Sequence, residues 1–202
     1  MVDETMDRID PDAELMVAVQ HGDSAAFEYL LDKYHRPIVN FIYKVVNNTE
    51  EAEELAQEVF LRIYRARETY QPKARFASWI YKIATNLSLK EAARKRRLRF
   101  WNRNHHAGNE PQFAEEAISD PLPDAEGQLI SSELGVMVRR AIQSLPPNER
   151  TALVLRRYED LSYKEIAEVM NCTEAAVKTY IHRGKLHVRD CILPYFEKGR
   201  IR

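Results

Sequence analysis

Lys178, Thr179, His182 and Arg183 recur on one side of a single helical stretch near the C-terminus. Side chains of these types, carried on a helix, can donate to base edges and phosphates in a major groove. The opposite side carries Val177, Ile181, Gly184 and Val188 at i, i+4, i+7 and i+11, one stripe made for burial, with Lys185 and Arg189 beside the donors. A solvated basic face on an ordinary helical hairpin would show the same charges. What favours recognition is the preceding sequence. Ser162-Tyr163-Lys164-Glu165 is a capping box, in which Ser162 accepts from the Glu165 amide while Glu165 reaches back. Ile166, Val169 and Met170 form a short apolar stripe, Asn171-Cys172 a turn, and Thr173 a cap for the donor helix. Helix, short turn and donor helix in that order make a helix-turn-helix. Gly184 inside a helix costs about 1 kcal/mol relative to alanine, which suggests a tight contact there.

A second constellation lies between residues 70 and 97. Phe76, Trp79, Ile80, Ile83 and Leu87 form the packed side of a helix, while Ser78, Lys82, Asn86 and Lys90 recur every four residues on another side. Arg94 and Arg97 carry that side into a basic run. Polar readers so spaced can track a nucleic-acid strand. The loop before them holds Tyr70, Lys73 and Arg75, able to grip an unstacked base against a ring or guanidinium plane. Trp79 fits the core by its spacing and leaves an edge for stacking. A third surface is acidic: Leu55, Val59 and Ile63 face inward, whereas Glu54, Gln57, Glu58 and Leu61 point elsewhere, with Phe60 at the margin. A basic protein partner and plain solvent fit that surface equally.

No catalytic constellation accompanies these surfaces. Phosphate-cradling glycine loops, paired-carboxylate pockets and H-x-x-x-H spacings are missing, and the acids at 50–58 lie on diverging faces. Cys172 and Cys191 lack CxxC spacing and read as reduced thiols, and His105 and His106 have no cysteine nearby, so neither a metal nor a cofactor is expected. No run approaches the roughly 18 apolar residues of a membrane helix. The acidic start lacks a signal-peptide pattern, which points to a cytoplasmic chain without membrane insertion.

The elements that must position these residues are helical throughout, since glycine is scarce and strand-like alternation almost absent. Expected helices run over 11–20; from Asp23 or Ser24; from Pro37 in the first turn of a third; from Thr49 as a cap to about Arg67; and from Phe76 into the basic run. The net charge of −1 hides segregated blocks: −9 over residues 1–64, +10 over 65–103, −7 over 104–135 and +5 over 136–202. Such blocks suggest separate surfaces for separate partners, two of them candidates for nucleic acid. Prolines, glycines and, after Arg103, a lack of Lys or Arg mark a linker from Asn102. The expected organisation is all-α: a helical domain over 10–101, a flexible acidic linker over 102–130 and a second helical domain over 131–197, interrupted by Leu145-Pro146-Pro147.

Three of these stretches, in this order, resemble the extracytoplasmic-function sigma factors. Glu53-Glu54-Leu55-Ala56-Gln57-Glu58-Val59-Phe60-Leu61 is similar to their region 2.2, Phe76-Ala77-Ser78-Trp79-Ile80-Tyr81-Lys82-Ile83-Ala84-Thr85-Asn86 to regions 2.3 and 2.4, and Leu161-Ser162-Tyr163-Lys164-Glu165-Ile166-Ala167 with Val177-Lys178 to region 4.2. The resemblance covers about Asp12 to Arg189. It implies a non-enzymatic subunit, monomeric when free, that directs core RNA polymerase to promoters. Glu54, Gln57, Glu58 and Leu61 would meet the clamp helices of the largest polymerase subunit. Asn86 and the Tyr70–Phe76 loop, with Ser78, Trp79, Lys82 and Lys90, would capture the non-template strand of the minus-ten element. Lys178, Thr179, His182 and Arg183 would face the minus-thirty-five duplex. The linker would thread toward the RNA exit path, where the 32 residues 104–135, all without a positive charge, suit a channel for anionic RNA. An anti-sigma factor is the implied regulator. Thr173-Glu174-Ala175-Ala176 replaces the usual Pro-Val-Gly-Thr, Tyr180 stands where a small or basic residue is usual, and Lys90-Glu91 departs from the common aspartate, all of which bear on promoter sequence. A free-standing helix-turn-helix repressor or activator explains residues 145–189 alone, a metal-dependent nuclease lacks a site, and a sigma mimic would bind the regulator without opening DNA.

Overall fold

The computed structural model describes residues 10–105 and 133–197, so the expected linker, apart from its first four residues, lies outside the described residues. Within them the chain forms eight α-helices, one 3-10 turn and no strand. α1 (Pro11–Gln20) starts on Asp10, whose carboxylate accepts from the Asp12 amide at 3.2 Å. α2 (Ser24–Val46) is capped by Asp23. It ends at Asn47, whose φ of 56° is the left-handed geometry that asparagine tolerates. α3 (Thr49–Arg65) and the turn at Arg67–Thr69 lead to α4 (Phe76–His105), a 30-residue rod.

Three boundaries differ from expectation. Pro37 opens no new helix but sits inside α2. Its ring forfeits a backbone hydrogen bond and crowds the carbonyl four residues back, costing about 3 kcal/mol. Burial offsets this, because Leu30, Tyr34, Ile38, Phe41, Ile42 and Val45 form one continuous stripe, every one at most 8% exposed. The cap of α3 is Asn48 rather than Thr49: its Oδ1 accepts from the Glu51 amide at 2.9 Å. α4 continues past the expected domain end at 101 as far as His105.

The second unit contains α5 (Glu133–Gln143), α6 (Pro147–Tyr158), α7 (Tyr163–Met170) and α8 (Glu174–Glu197). Leu145, Leu155, Ile166, Val177 and Ile181 are its buried centre. The two units are not held apart: α7 packs on α4 and α6 on α2, and buried residues form one cluster through both. Polar cross-links pin the contact. Arg75 pairs with Glu165 at 3.2 Å, Arg150 donates to the Val45 carbonyl at 2.7 Å, and Lys44 lies 4.1 Å over the Tyr158 ring. Gln143 donates to Asn47, and Tyr81, 4% exposed, donates its hydroxyl to Glu159. Burial, then the neighbouring Glu159 carboxylate, pushes Tyr81 above the usual phenol range, and burial likewise raises Glu159.

Candidate nucleic-acid interface

The acidic face of α3 is presented as its spacing predicts. Val59 and Ile63 are buried, Leu55 half-buried, and Glu54, Gln57 and Leu61 exposed. Glu58 is drawn into a 2.8 Å pair with Arg62, whose hydrogen bond holds the carboxyl below the usual carboxylate range. Phe60 lies inside, stacked on His35. The sequence reading missed Tyr64, which sits one turn beyond Leu61 and is comparably exposed, braced edge-on by Phe27 and covered by the Arg67 guanidinium. The spacing i, i+3 was the available signal.

On α4 the residues divide differently from expectation. Lys82, Asn86 and Lys90 are exposed along one side, and the loop places Lys73 and Arg75 at the surface. Phe76 is wholly buried, and Tyr70 and Ser78 are 8% and 5% exposed. Trp79 is half-buried between two rings, 4.9 Å from Tyr70 and 5.8 Å from Phe76. Ser78 therefore belongs to the inner side: a four-residue repeat drifts about 40° per step on a 3.6-residue helix, so one repeat back from Lys82 turns inward. What fixes the loop is Asp10, invisible from sequence. While one carboxylate oxygen caps α1, the other accepts from the Phe76 amide at 2.6 Å and so caps α4 as well. Burial and the Asp10 charge push Tyr70 up to about 12, so it stays a neutral phenol. Beneath, Asp12 is buried and accepts from Lys33 at 2.6 Å and from Tyr34 at 2.6 Å.

The candidate second reader has the caps and turn that its spacing predicts. Ser162 and Glu165 close the capping box at 3.2 and 2.8 Å, and Asn171 turns the chain in left-handed geometry. Burial alone would raise Glu165, but bonds from Ser162 and Arg75 hold it below its ordinary value. Thr173 caps α8, accepting from the Ala176 amide at 3.1 Å. Lys178, Thr179, His182 and Arg183 are all exposed, while Val177 and Ile181 lock α8 onto α7. The Thr179 hydroxyl donates to the Ala175 carbonyl at 2.9 Å, which leaves its oxygen to accept. Among the described residues no cluster of His, Cys, Asp or Glu could hold a metal, and no helix is long and apolar enough to cross a membrane.

These two readers and the acidic face coincide with two family patterns, sigma-70 region 2 over residues 30–98 and sigma-70 region 4 over residues 135–188. The RNA polymerase sigma-H factor of Pseudomonas aeruginosa is 34% identical over 191 residues, spanning 93% of this chain and 97% of that protein. The chain belongs to the sigma-70 family. Among the relatives of this sigma factor, the ECF RNA polymerase sigma factor SigW of Bacillus subtilis is 34% identical, over 85% of this chain and 91% of its own. Members of this family are transcription initiation factors rather than catalysts. The fold recurs in solved structures at 16% identity and a TM-score of 0.59. One is CnrH in complex with the cytosolic domain of CnrY, covering 90% of this chain and 96% of that one. Another is RpoE in complex with the anti-sigma factor NepR from Bartonella quintana, covering 82% and 96%.

Proposed function

We propose that this sigma factor binds core RNA polymerase through the exposed face of α3, with Glu54, Gln57, Glu58 and Leu61 meeting a basic surface on the clamp helices of the largest subunit. The exposed side of α4 then takes the non-template strand of the minus-ten element. Lys73 and Arg75 neutralise phosphates, and Lys82, Asn86 and Lys90 line the strand. Tyr70, Phe76 and Ser78 hold the loop from within, and the open edge of Trp79 offers a stacking plane. Lys178, Thr179, His182 and Arg183 on α8 enter the minus-thirty-five major groove. The observation that carries this reading is the exposure of all three polar faces in one folded chain, each on the helix where its spacing puts it. Such work is done where the chromosome is, in the cytoplasm, by a chain that is monomeric until it meets polymerase.

The two promoter elements lie, by their names, about 25 base pairs or ~85 Å apart on B-DNA. In the structure α7 rests directly on α4. Reading both elements at once therefore requires the units to part, and an anti-sigma factor, of the kind named with one structural relative, would act by holding them together. Run-off transcription tests the reading, with core polymerase, with and without this protein, on a pool of promoter fragments. Promoter-specific transcripts that vanish in Glu54→Lys/Glu58→Lys support it. No transcripts from active core and soluble protein would sink it and favour a repressor or a mimic.

A further inference from the structure

The reader side of α4 does not end where the sigma-70 region 2 pattern ends, at residue 98. Leu98, the last residue of that pattern, is 48% exposed, and two more large apolar side chains follow it, Phe100 at 59% and Trp101 at 63%. Taking about 100° per residue, Arg97, Phe100 and Trp101 fall within about 60° of the direction of Asn86, the same side that carries Lys90. The helix is unbroken between them. Polar readers, then cations, then two rings thus share one continuous strip of a rigid rod. Exposed apolar groups of this size mark contact sites, and rings mixed with arginine fit DNA, where guanidinium meets phosphate while rings lie against sugars and base edges.

We propose that Phe100 and Trp101, with Arg97, form an additional DNA contact on the double helix flanking the minus-ten element, on the side facing the minus-thirty-five element. The inference rests on the promoter-reading role of α4 and extends it. The distance from Asn86 to Trp101 is 15 residues, about 22 Å along the axis, or about six to seven base pairs. The side follows from chain order, since the C-terminal end of α4 leads to the unit carrying the second reader. Because the two rings carry a single hydrogen-bond donor between them, the Trp101 indole N–H, the contact adds affinity without demanding a particular sequence.

The test uses the full chain bound to core polymerase, on a promoter fragment selected by the wild-type holoenzyme. Hydroxyl-radical footprints and promoter affinity are compared for wild type, Phe100→Ala/Trp101→Ala and Trp101→Phe. The double variant is expected to lose protection about six to seven base pairs from the Asn86 contact and about tenfold in affinity, the loss typical of removing well-placed aromatic anchors. Trp101→Phe should keep most of both, and core binding should be unchanged in all three. An unchanged footprint and affinity in the double variant would overturn the inference while leaving the promoter-reading role intact. Weakened binding to core, with the footprint retained once core is saturated, would overturn it by assigning the rings to polymerase. A wild-type holoenzyme with no footprint at all would remove both.

Discussion

The two helices proposed to read DNA stand on different foundations. α8 stands on a local device: a capping box, an eight-residue helix, a left-handed asparagine and a threonine cap, all within 30 residues of chain. α4 depends on distant groups. Its first amide is held by Asp10, 66 residues away, and its first ring, Phe76, packs edge-on against Tyr34 of α2, which Asp12 of α1 holds in turn. A reader on local supports should tolerate change elsewhere in the molecule. One on remote supports should fail when a residue far from DNA is altered.

The sharpest way to break this contrast is Asp12→Ala. It strands the Tyr34 hydroxyl and removes the carboxylate from Lys33, for an expected loss of about 3 kcal/mol, since buried hydrogen bonds to a charged group are the costly ones to leave half-made. Thermal melting of the full chain measures it. Binding to the minus-thirty-five element should survive at temperatures where the variant stays folded. Loss of that binding alongside the minus-ten contact would show that the second reader is not self-supporting. Next in size is Arg183→Ala, expected to lower holoenzyme affinity about tenfold on a promoter with an intact minus-thirty-five element, with no change in melting. The same loss on a promoter with that element scrambled would reassign Arg183 from base to phosphate.

A smaller effect concerns the contact between the readers' supports. Burial raises Glu159 above its ordinary value, so the closed form binds a proton more readily than the open one. Closure is therefore disfavoured as pH rises from the ordinary carboxylate range through the raised value, and favoured as it falls. Glu159→Gln keeps an acceptor for the Tyr81 hydroxyl without a charge to bury, and should flatten this pH dependence while favouring closure at neutral pH. Scattering or a distance probe across the units reports it. A pH dependence identical to wild type would mean that another group titrates the contact.

The difference between the two readers also decided what could be read from sequence. Most of what is local was legible: the capping box, the Thr173 cap, the buried Val177 and Ile181, and the exposed Glu54, Gln57 and Leu61 all follow from spacing within a helix or two, the cap of α3 being the local exception. What was not legible depends on tertiary contact. The double cap at Asp10 needs residues 10 and 76 side by side, and no periodicity announces that. Pro37 reads locally as a helix start, and only the hydrophobic stripe across it, once buried, makes a continuous α2 affordable. Ser78 was placed with the DNA-facing groups by its four-residue spacing, Tyr70 by its ring in the loop and Phe76 by resemblance, while the packing of α4 turns all three inward. The contact of α7 with α4 was likewise beyond reach, because two helical units joined by an acidic stretch read as separate bodies.

Gly184 offers the smallest effect and tests whether α8 is tuned for packing or for freedom. Its position in the buried stripe suggested a contact too close for a side chain. The structure shows otherwise: a methyl there would meet Leu145 Cδ1 and Leu153 Cδ2 at 3.6 Å and the Glu149 carbonyl at 3.7 Å, ordinary van der Waals distances. Gly184 has no left-handed backbone geometry to protect, being one of the regular residues of the helix. Gly184→Ala should therefore gain stability, by up to about 1 kcal/mol, from lower backbone entropy in the unfolded chain and better helix propensity. Because the residue lies opposite Lys178, Thr179, His182 and Arg183, affinity for the minus-thirty-five element should not change. A higher melting temperature with unchanged affinity fits a helix whose readers are held by local caps and stripe alone. A lower melting temperature would show that Leu145 and Leu153 cannot yield and that the packing of α8 on α6 is as tightly specified as that of α4 on its remote supports.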